Sequence, residues 1–458
     1  MTPIAFELNG KQVRADHCAT YTTLLEFVRA QGFTGAKEGC AEGECGACTV
    51  LFVQPHGASS SKLVPVNSCL VLLPMAAGHE VFTVESLACE GKLAEVQQAM
   101  VEQGGSQCGY CTPGFIVSMF AEQYRPDRVG ACDPNNLAGN LCRCTGYRPI
   151  RDALACIGAP SDKRFNARVL RPAPALSSVE CPGFSRPSSL RECLEFLKAR
   201  PESRVVAGAT DLGVESNLHG RRFEHLVGVE ALAELQEFVD APEEVVIGAG
   251  ISLSEIGLLW KDAPPIFREW LSLFASPLIR NRATLGGNLA TASPIGDAAP
   301  MLLALDARVR IANLDGERML PLANFFTGYR TTLLSPGEVL VSVHIPKPMP
   351  LIARFYKIAK RRMDDISTVA AGFAIRLDAA GLVQSARFAF GGVAATPIRV
   401  VAAEHELVGA RWSQSAVARA TTSIADTLSP ISDHRGSAAY RLAMAKSLLQ
   451  KFWHEAGQ

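Results

Sequence analysis

The sequence predicts an α+β protein of several domains, and three observations carry that reading. At 458 residues the chain exceeds one ordinary core and has room for about three. All fourteen cysteines fall between Cys18 and Cys193, so composition changes sharply partway along. Apolar runs of strand type alternate with helical stretches, and no internal repeat or low-complexity tract occurs.

The elements follow in order. "IAFEL" and "KQVRA" flank Asn9-Gly10, the signature of a hairpin with a type I′ turn. Thr23 with Glu26 predicts a capping box on "LLEFVRA". Strands "CTVLFV" and "HEVFTV" complete a grasp-like sheet that ends near Glu85. From Leu87 to about Cys156 the pattern is helical: Leu93, Val96 and Met100 share one face, and Phe115, Met119 and Phe120 mark another after Pro113-Gly114. The stretch from Gly158 to Leu190 carries Pro, Ser and Arg without periodicity and reads as a linker. "RVVAGA", "EEVVIGAG" and "VLVSVHIP" then alternate with helical stretches, and a last α+β piece closes on "SAAYRLAMAKSLLQKFW". The expected boundaries are 1–85, 86–157, a linker at 158–182, 183–346 and 347–458.

Charge excludes some functions. With 45 basic and 45 acidic residues, nothing suggests nucleic acid or an anionic membrane as partner. The N-terminus lacks a signal pattern, and the greasiest run, "LVPVNSCLVLLPMAAG", is broken by Asn67 and Ser68. The expectation is a cytoplasmic protein with no membrane span. Clustered cysteines in that compartment point to metal ligands or catalytic thiols rather than disulfides.

Within "GCAEGECGAC", Cys40, Cys45 and Cys48 are spaced C-x4-C-x2-C, and Cys69 follows farther on. This is the plant-type ligand spacing for a 2Fe-2S cluster. The glycines suit that chemistry, since bridging sulfides need backbone N–H donors close by and side chains would hold the main chain away. The alternatives are a zinc site or unliganded buried cysteines, although zinc usually takes two short C-x2-C knuckles. The second set joins Cys108 and Cys111 of "QCGYCTPG" to Cys142 and Cys144 of "GNLCRCTGYRPI". A C-x-C pair makes a poor zinc knuckle, so it is expected to supply two ligands to one iron of a cluster held among helix ends. Cys18, Cys89, Cys132, Cys156, Cys181 and Cys193 read as small buried hydrophobes or idle thiols.

These three stretches resemble, in order and spacing, the two cluster signatures of the xanthine oxidase family of molybdenum hydroxylases, over roughly Phe6 to Ile157. The resemblance implies a ferredoxin-like β-grasp domain, then a four-helix bundle whose cluster lies next to the pterin of a molybdenum cofactor. It also implies that Gln107 and Cys144 approach that pterin; taken alone, Gln107 reads equally as a polar helix cap.

Two loops follow farther along the chain. "VVAGATDLG" leads from a strand into Gly208, Thr210 and Asp211, and "ASPLIRNRATLGGNLATASPIGD" holds Gly286, Gly287 and Asn288. Adjacent glycines can form an anion-binding nest, with Thr284 or Asn288 adding hydrogen bonds to a pyrophosphate. Singly, each loop reads as an ordinary turn. "VVIGAGISLSE" has Leu253 where a dinucleotide fingerprint needs its third glycine, so it is not read as one. Together the loops resemble the same family's FAD domain, of the vanillyl-alcohol oxidase type, over about Gly183 to Pro346. That resemblance implies FAD contacts at Val205, Val206, Ala207, Gly208, Ala209, Thr210, Asp211 and Leu212, and at Thr284, Leu285, Gly286, Gly287 and Asn288. It further places Phe274 near the flavin ring and Asp297 and Leu340 along the site, while Ala209 departs from the family's Asn.

"FYKIAKRRMDDIS" alone is a solvated charge run. The resemblance sets Lys357 on FAD and Arg361, Arg362 and Asp364 where a nicotinamide approaches, with Tyr329 as a neighbour. "FGGVAATPIRV" and "DHRGSAAYRLA" resemble the family's flavoprotein C-terminal domain.

The resemblance is strongest to the small iron-sulfur and FAD subunits of the family's two-subunit bacterial xanthine dehydrogenases. It implies a relay from a molybdenum-pterin cofactor on a large partner subunit, through two 2Fe-2S clusters and FAD, to NAD+, within a dimer of heterodimers. This chain then supplies no general acid or base for hydroxylation. The same relay could serve an aldehyde or N-heterocycle hydroxylase. From another class, an iron-sulfur redox sensor is possible, and it predicts no flavin.

Overall fold

The computed structural model describes residues 4–15 and 18–456. The chain divides into two compact units. The first comprises Met1–Cys193, Glu202–Ala231 and Ser276–Ala283, and the second Leu194–Pro201, Leu232–Ala275 and Thr284–Gln458.

In the first unit, Asn9 and Gly10 adopt φ of 53° and 78°, the left-handed pair that a type I′ turn requires. They close Ile4–Leu8 onto Lys11–Ala15, with Leu8 opposite Lys11. The five-stranded sheet runs Lys11–Ala15, Ile4–Leu8, Glu80–Phe82, Thr49–His56, Ser60–Asn67, and the Ile4–Leu8 to Glu80–Phe82 pair is parallel. The helix Leu24–Ala30 packs in the core on this sheet, and the capping box forms: Thr23 Oγ1 accepts from Glu26 N at 3.1 Å and Glu26 Oε2 accepts from Thr23 N at 2.7 Å. The strand Ser60–Asn67 was not anticipated. Its apolar run continues through Leu73 without the polar alternation that marks a strand.

Four helices follow: Glu95–Glu102, Thr112–Gln123, Arg148–Ala155 and Lys163–Val169. Val96 and Met100 are buried as expected, whereas Leu93 precedes the first helix and is exposed. The fourth helix lies inside the stretch read as a linker. Its Phe165 joins the bundle core, and its Arg168 forms a buried ion pair with Glu80 at 2.6 Å. A four-stranded sheet, in the order Val179–Cys181, Phe184–Arg186, Leu226–Gly228, Arg204–Val206, completes this unit.

The second unit holds a five-stranded antiparallel sheet, Phe238–Asp240, Glu244–Gly248, Val339–Pro346, Arg308–Asn313, Gly316–Pro321. It also holds a four-stranded sheet, Ile352–Ile358, Val369–Leu377, Val383–Gly391, Ile398–Arg399, whose core is closed by helices Gln414–Thr427 and Ala438–Ala456. Among the described residues, no helix is long and apolar enough to cross a membrane.

Candidate functional site

The first thiol quartet forms where the Gly39–Cys48 loop meets the turn at Cys69. Cys45 N–H points at Cys40 Sγ across 3.3 Å, and the Cys48 and Cys69 sulfurs lie 3.3 Å apart. Asn67 Nδ2 reaches Cys48 Sγ at 3.7 Å. The glycine density has a steric cause: a Cβ on Gly39 would stand 2.7 Å from Cys45 Sγ. Gly46 needs its freedom twice, since it sits at φ +66° and a Cβ there would fall 2.3 Å from Gly139 O. The Cys40 thiol is pushed down to about 5, first by the hydrogen bond from Cys45 and then, against burial, by the backbone N–H groups of Glu42, Cys45 and Glu44. The loop therefore turns main-chain N–H groups toward the Cys40 sulfur.

The second quartet brings the two short motifs together. Cys144 Sγ lies 3.5 Å from Cys108 Sγ, and the free thiols of Cys142 and Cys111 share a hydrogen bond, so each pair takes one thiol from each short motif. The cause is the turn after Cys142. Thr145 N and Oγ1 hold Cys142 Sγ at 3.5 and 3.1 Å, keeping it inward while Cys144 reaches out. Among the described residues no three such side chains surround a single ion position, and the sulfurs are arranged pairwise.

The quartets are tied together. Leu141 N donates to Cys45 O at 3.0 Å. Buried Asn140 donates to Gly46 O at 3.1 Å and accepts from Ser118 Oγ at 2.6 Å. The Tyr110 hydroxyl donates to Glu38 O. Gln107 is exposed and lies ahead of the Thr112–Gln123 helix without capping it.

Also in the first unit, Val205 and Val206 end the strand Arg204–Val206, and the loop Ala207–Asp211 leads into the helix Leu212–His219. Gly208 admits no side chain, because a Cβ would meet Arg282 O at 1.9 Å. Ala209 holds φ +62°, a left-handed conformation that favours Gly or Asn. Behind this loop lies a buried charge cluster: Glu230 pairs with Arg186 at 2.9 Å and Arg282 at 3.6 Å, with His79 close by. Burial, aided by the two arginines and opposed by Glu230, pushes His79 down to about 4.

In the second unit, Thr284 caps the helix Leu285–Ala290 by accepting from Gly287 N at 3.0 Å, and Gly286 N donates to Ala249 O at 3.0 Å. Both glycine amides thus donate within the chain. Gly286 is required for close packing, since a Cβ would lie 2.5 Å from that of Ala249. Lys357 and Asp297 come together in a buried ion pair at 2.9 Å, backed by Leu273 O at 3.1 Å and Ser367 Oγ at 2.5 Å. Leu340 is buried opposite Ile311, and the Phe274 ring packs on Trp270. Arg361 reaches the carbonyl of buried Asp364, which sits at φ +55°. Arg362 is exposed, as is Tyr329.

Family models match consecutively along this chain: a "2Fe-2S iron-sulfur cluster binding domain" over 6–93, a "[2Fe-2S] binding domain" over 83–155, an "FAD binding domain in molybdopterin dehydrogenase" over 178–348, and a "CO dehydrogenase flavoprotein C-terminal domain" over 354–456. The xanthine dehydrogenases of Emericella nidulans and Drosophila subobscura are 30% and 32% identical, across 99% and 98% of this chain and 38% and 39% of their own lengths. Among solved structures, carbon monoxide dehydrogenase from Hydrogenophaga pseudoflava superposes with a TM-score of 0.56 at 27% identity, over 60% of this chain and 96% of that one. Quinoline 2-oxidoreductase from Pseudomonas putida 86 does so with 0.55 at 29%, over 61% and 98%.

The chain belongs to the xanthine oxidase family of molybdenum hydroxylases. It carries that family's 2Fe-2S and FAD-binding domains, the electron-transfer part of a molybdenum hydroxylase, and spans about two fifths of the length of the curated relatives it matches. The residues fit these groups. Paired thiols suit a binuclear iron cluster, with two ligands for each iron. Asn288 Oδ1 is buried and meets no hydrogen-bond partner among the described residues, an acceptor suited to a dinucleotide rich in hydroxyl and amide donors. Sequence reasoning did not single out Asn140, Asn217, Arg186, Glu230 and Arg282, which act through contacts distant in sequence.

Proposed function

We propose that this chain is the iron-sulfur and FAD subunit of a xanthine dehydrogenase. In this reading it carries electrons from a molybdenum-pterin cofactor on a large partner subunit to NAD+, while hypoxanthine and xanthine are hydroxylated to urate. The observation that carries the proposal is the direct backbone link between the two thiol quartets, Leu141 N to Cys45 O at 3.0 Å. When bound, the clusters and flavin supply the redox chemistry.

The chain's residues hold and shield these groups. Cys108, Cys111, Cys142 and Cys144 hold the cluster nearest the partner, with exposed Gln107 and Cys144 facing the pterin. Cys40, Cys45, Cys48 and Cys69 hold the inner cluster. Val205 to Leu212 in the first unit, and Thr284 to Asn288 with Phe274, Asp297, Leu340 and Lys357 in the second, would each contact FAD. The buried Lys357–Asp297 pair leaves little net charge near the ring, and Tyr329, Arg361, Arg362 and Asp364 receive the nicotinamide. The assembly is a cytoplasmic dimer of heterodimers.

A second reading, the same relay in an aldehyde or N-heterocycle hydroxylase, is favoured by the likeness to quinoline 2-oxidoreductase. Anaerobic absorption spectra of the co-purified complex separate the two. Xanthine and NADH should each bleach the flavin and cluster bands. Bleaching by NADH alone rejects xanthine and leaves the second reading, and a spectrum without flavin overturns both in favour of an iron-sulfur sensor.

A further inference from the structure

The Leu212–His219 helix starts at the Val205–Asp211 loop and runs to the first thiol quartet. Near its end, Asn217 Nδ2 donates to two backbone carbonyls at once, Ala41 O at 2.9 Å and Cys69 O at 2.8 Å. Both partners are acceptors, so the amide can face them only with its NH2 group. Ala41 follows Cys40 and holds φ +58°, a left-handed conformation costly for a residue with a side chain. One turn earlier, Gly213 lies against the peptide after Cys69: an added Cβ would come within 3.1 Å of Leu70 O and 3.2 Å of Leu70 Cα.

Cys40 and Cys69 come from separate stretches of chain and belong to different sulfur pairs. One side chain therefore spans the quartet from a single helix. We propose that Asn217 is a positioning residue that clamps the two halves of the inner cluster's ligand set to the helix of the flavin loop. It bonds to carbonyls and not to sulfur, so it acts by fixing the Ala41 and Cys69 peptides, whose orientation decides which N–H groups face the thiolates. The effect on the cluster stands independently of the flavin assignment, and the effect on electron passage rests on the proposed reading of Val205 to Leu212.

The test uses the full chain carrying its iron and flavin, as parent, Asn217→Ser, Asn217→Leu and Asn217→Gln. The inner cluster's electron paramagnetic resonance signal should shift in the Ser and Leu variants while the outer cluster's signal stays, with iron and flavin content unchanged. Electron passage from flash-reduced flavin to the inner cluster should slow roughly tenfold in Asn217→Ser, and Asn217→Gln, which keeps the amide, should recover part of the rate. A parent-like signal and rate in Asn217→Ser would overturn the proposal, and so would equal shifts of both cluster signals, which indicate general loosening. Should Asn217→Leu fail to accumulate, the smaller Ser variant decides. A parent chain with iron but no flavin would refute the flavin reading, and the resonance signals alone would then decide the clamp.

Discussion

The two thiol quartets differ most at one pair of each. Cys48 and Cys69 are 2% and 3% exposed, stitched by Asn67, Ser68 and Asn217, whereas Cys108 and Cys144 lie open on the helical bundle. A buried cluster site can exchange electrons only through the chain that encloses it, and an exposed one can meet another molecule. The difference in burial sets an outward-facing thiol pair beside an enclosed one.

The comparison breaks most readily at the ligands. Cys48→Ser should empty the inner site and cost about 4 kcal/mol, because a core position loses its metal anchor, while Cys144→Ser should lose as much iron with about half the stability cost. Iron analysis with thermal unfolding checks this, and equal destabilisation by both would erase the distinction. Next comes acid. Unfolded His79 takes up a proton near 6.5 but the native ring not until about 4, so stability falls as pH drops through that window and rises again with pH, by about 3 kcal/mol in total. Glu230, held below 4.5 by Arg282 and Arg186 despite its burial, adds a further loss below that pH. Urea midpoints between pH 4 and 7 should show the slope, and His79→Phe should flatten it.

Asn140→Ala, which leaves Gly46 O and Ser118 Oγ with a lost partner each, should cost about 2 kcal/mol and alter the magnetic coupling between the clusters. Unchanged coupling in a folded variant would show that the bridge does not set their spacing. The smallest effect is a gain: Ala209→Gly should relieve left-handed strain by about 0.5 kcal/mol after the entropic cost of glycine, read as a higher melting temperature.

What could be read from the residues was local or spaced. Asn9-Gly10 and the Thr23 capping box are short-range devices, and the structure contains both. The eight cysteines stood out because their spacing is a chemical constraint on neighbours, and the structure brings sulfurs of separate motifs together. Pairing within the second quartet did not, since it depends on how the Thr145 turn aims Cys142. The bonds of Gly286 and Gly287 were hidden for the same reason: the sequence shows two permissive residues, and only packing against Ala249 and Thr284 reveals where their N–H groups point. Lys163–Val169 escaped notice because one buried Phe and one buried Arg make too faint a helical period.

The contact between the two cluster loops also bears on inheritance and on engineering. A Cβ at Gly114 would stand 2.2 Å from Gly46 O, and that same carbonyl takes the Asn140 amide. Three residues from both modules thus share one oxygen atom. The grasp domain and the bundle are accordingly not exchangeable cassettes: a chimera that takes either from a relative must carry Gly46, Gly114 and Asn140 across the seam as one matched set.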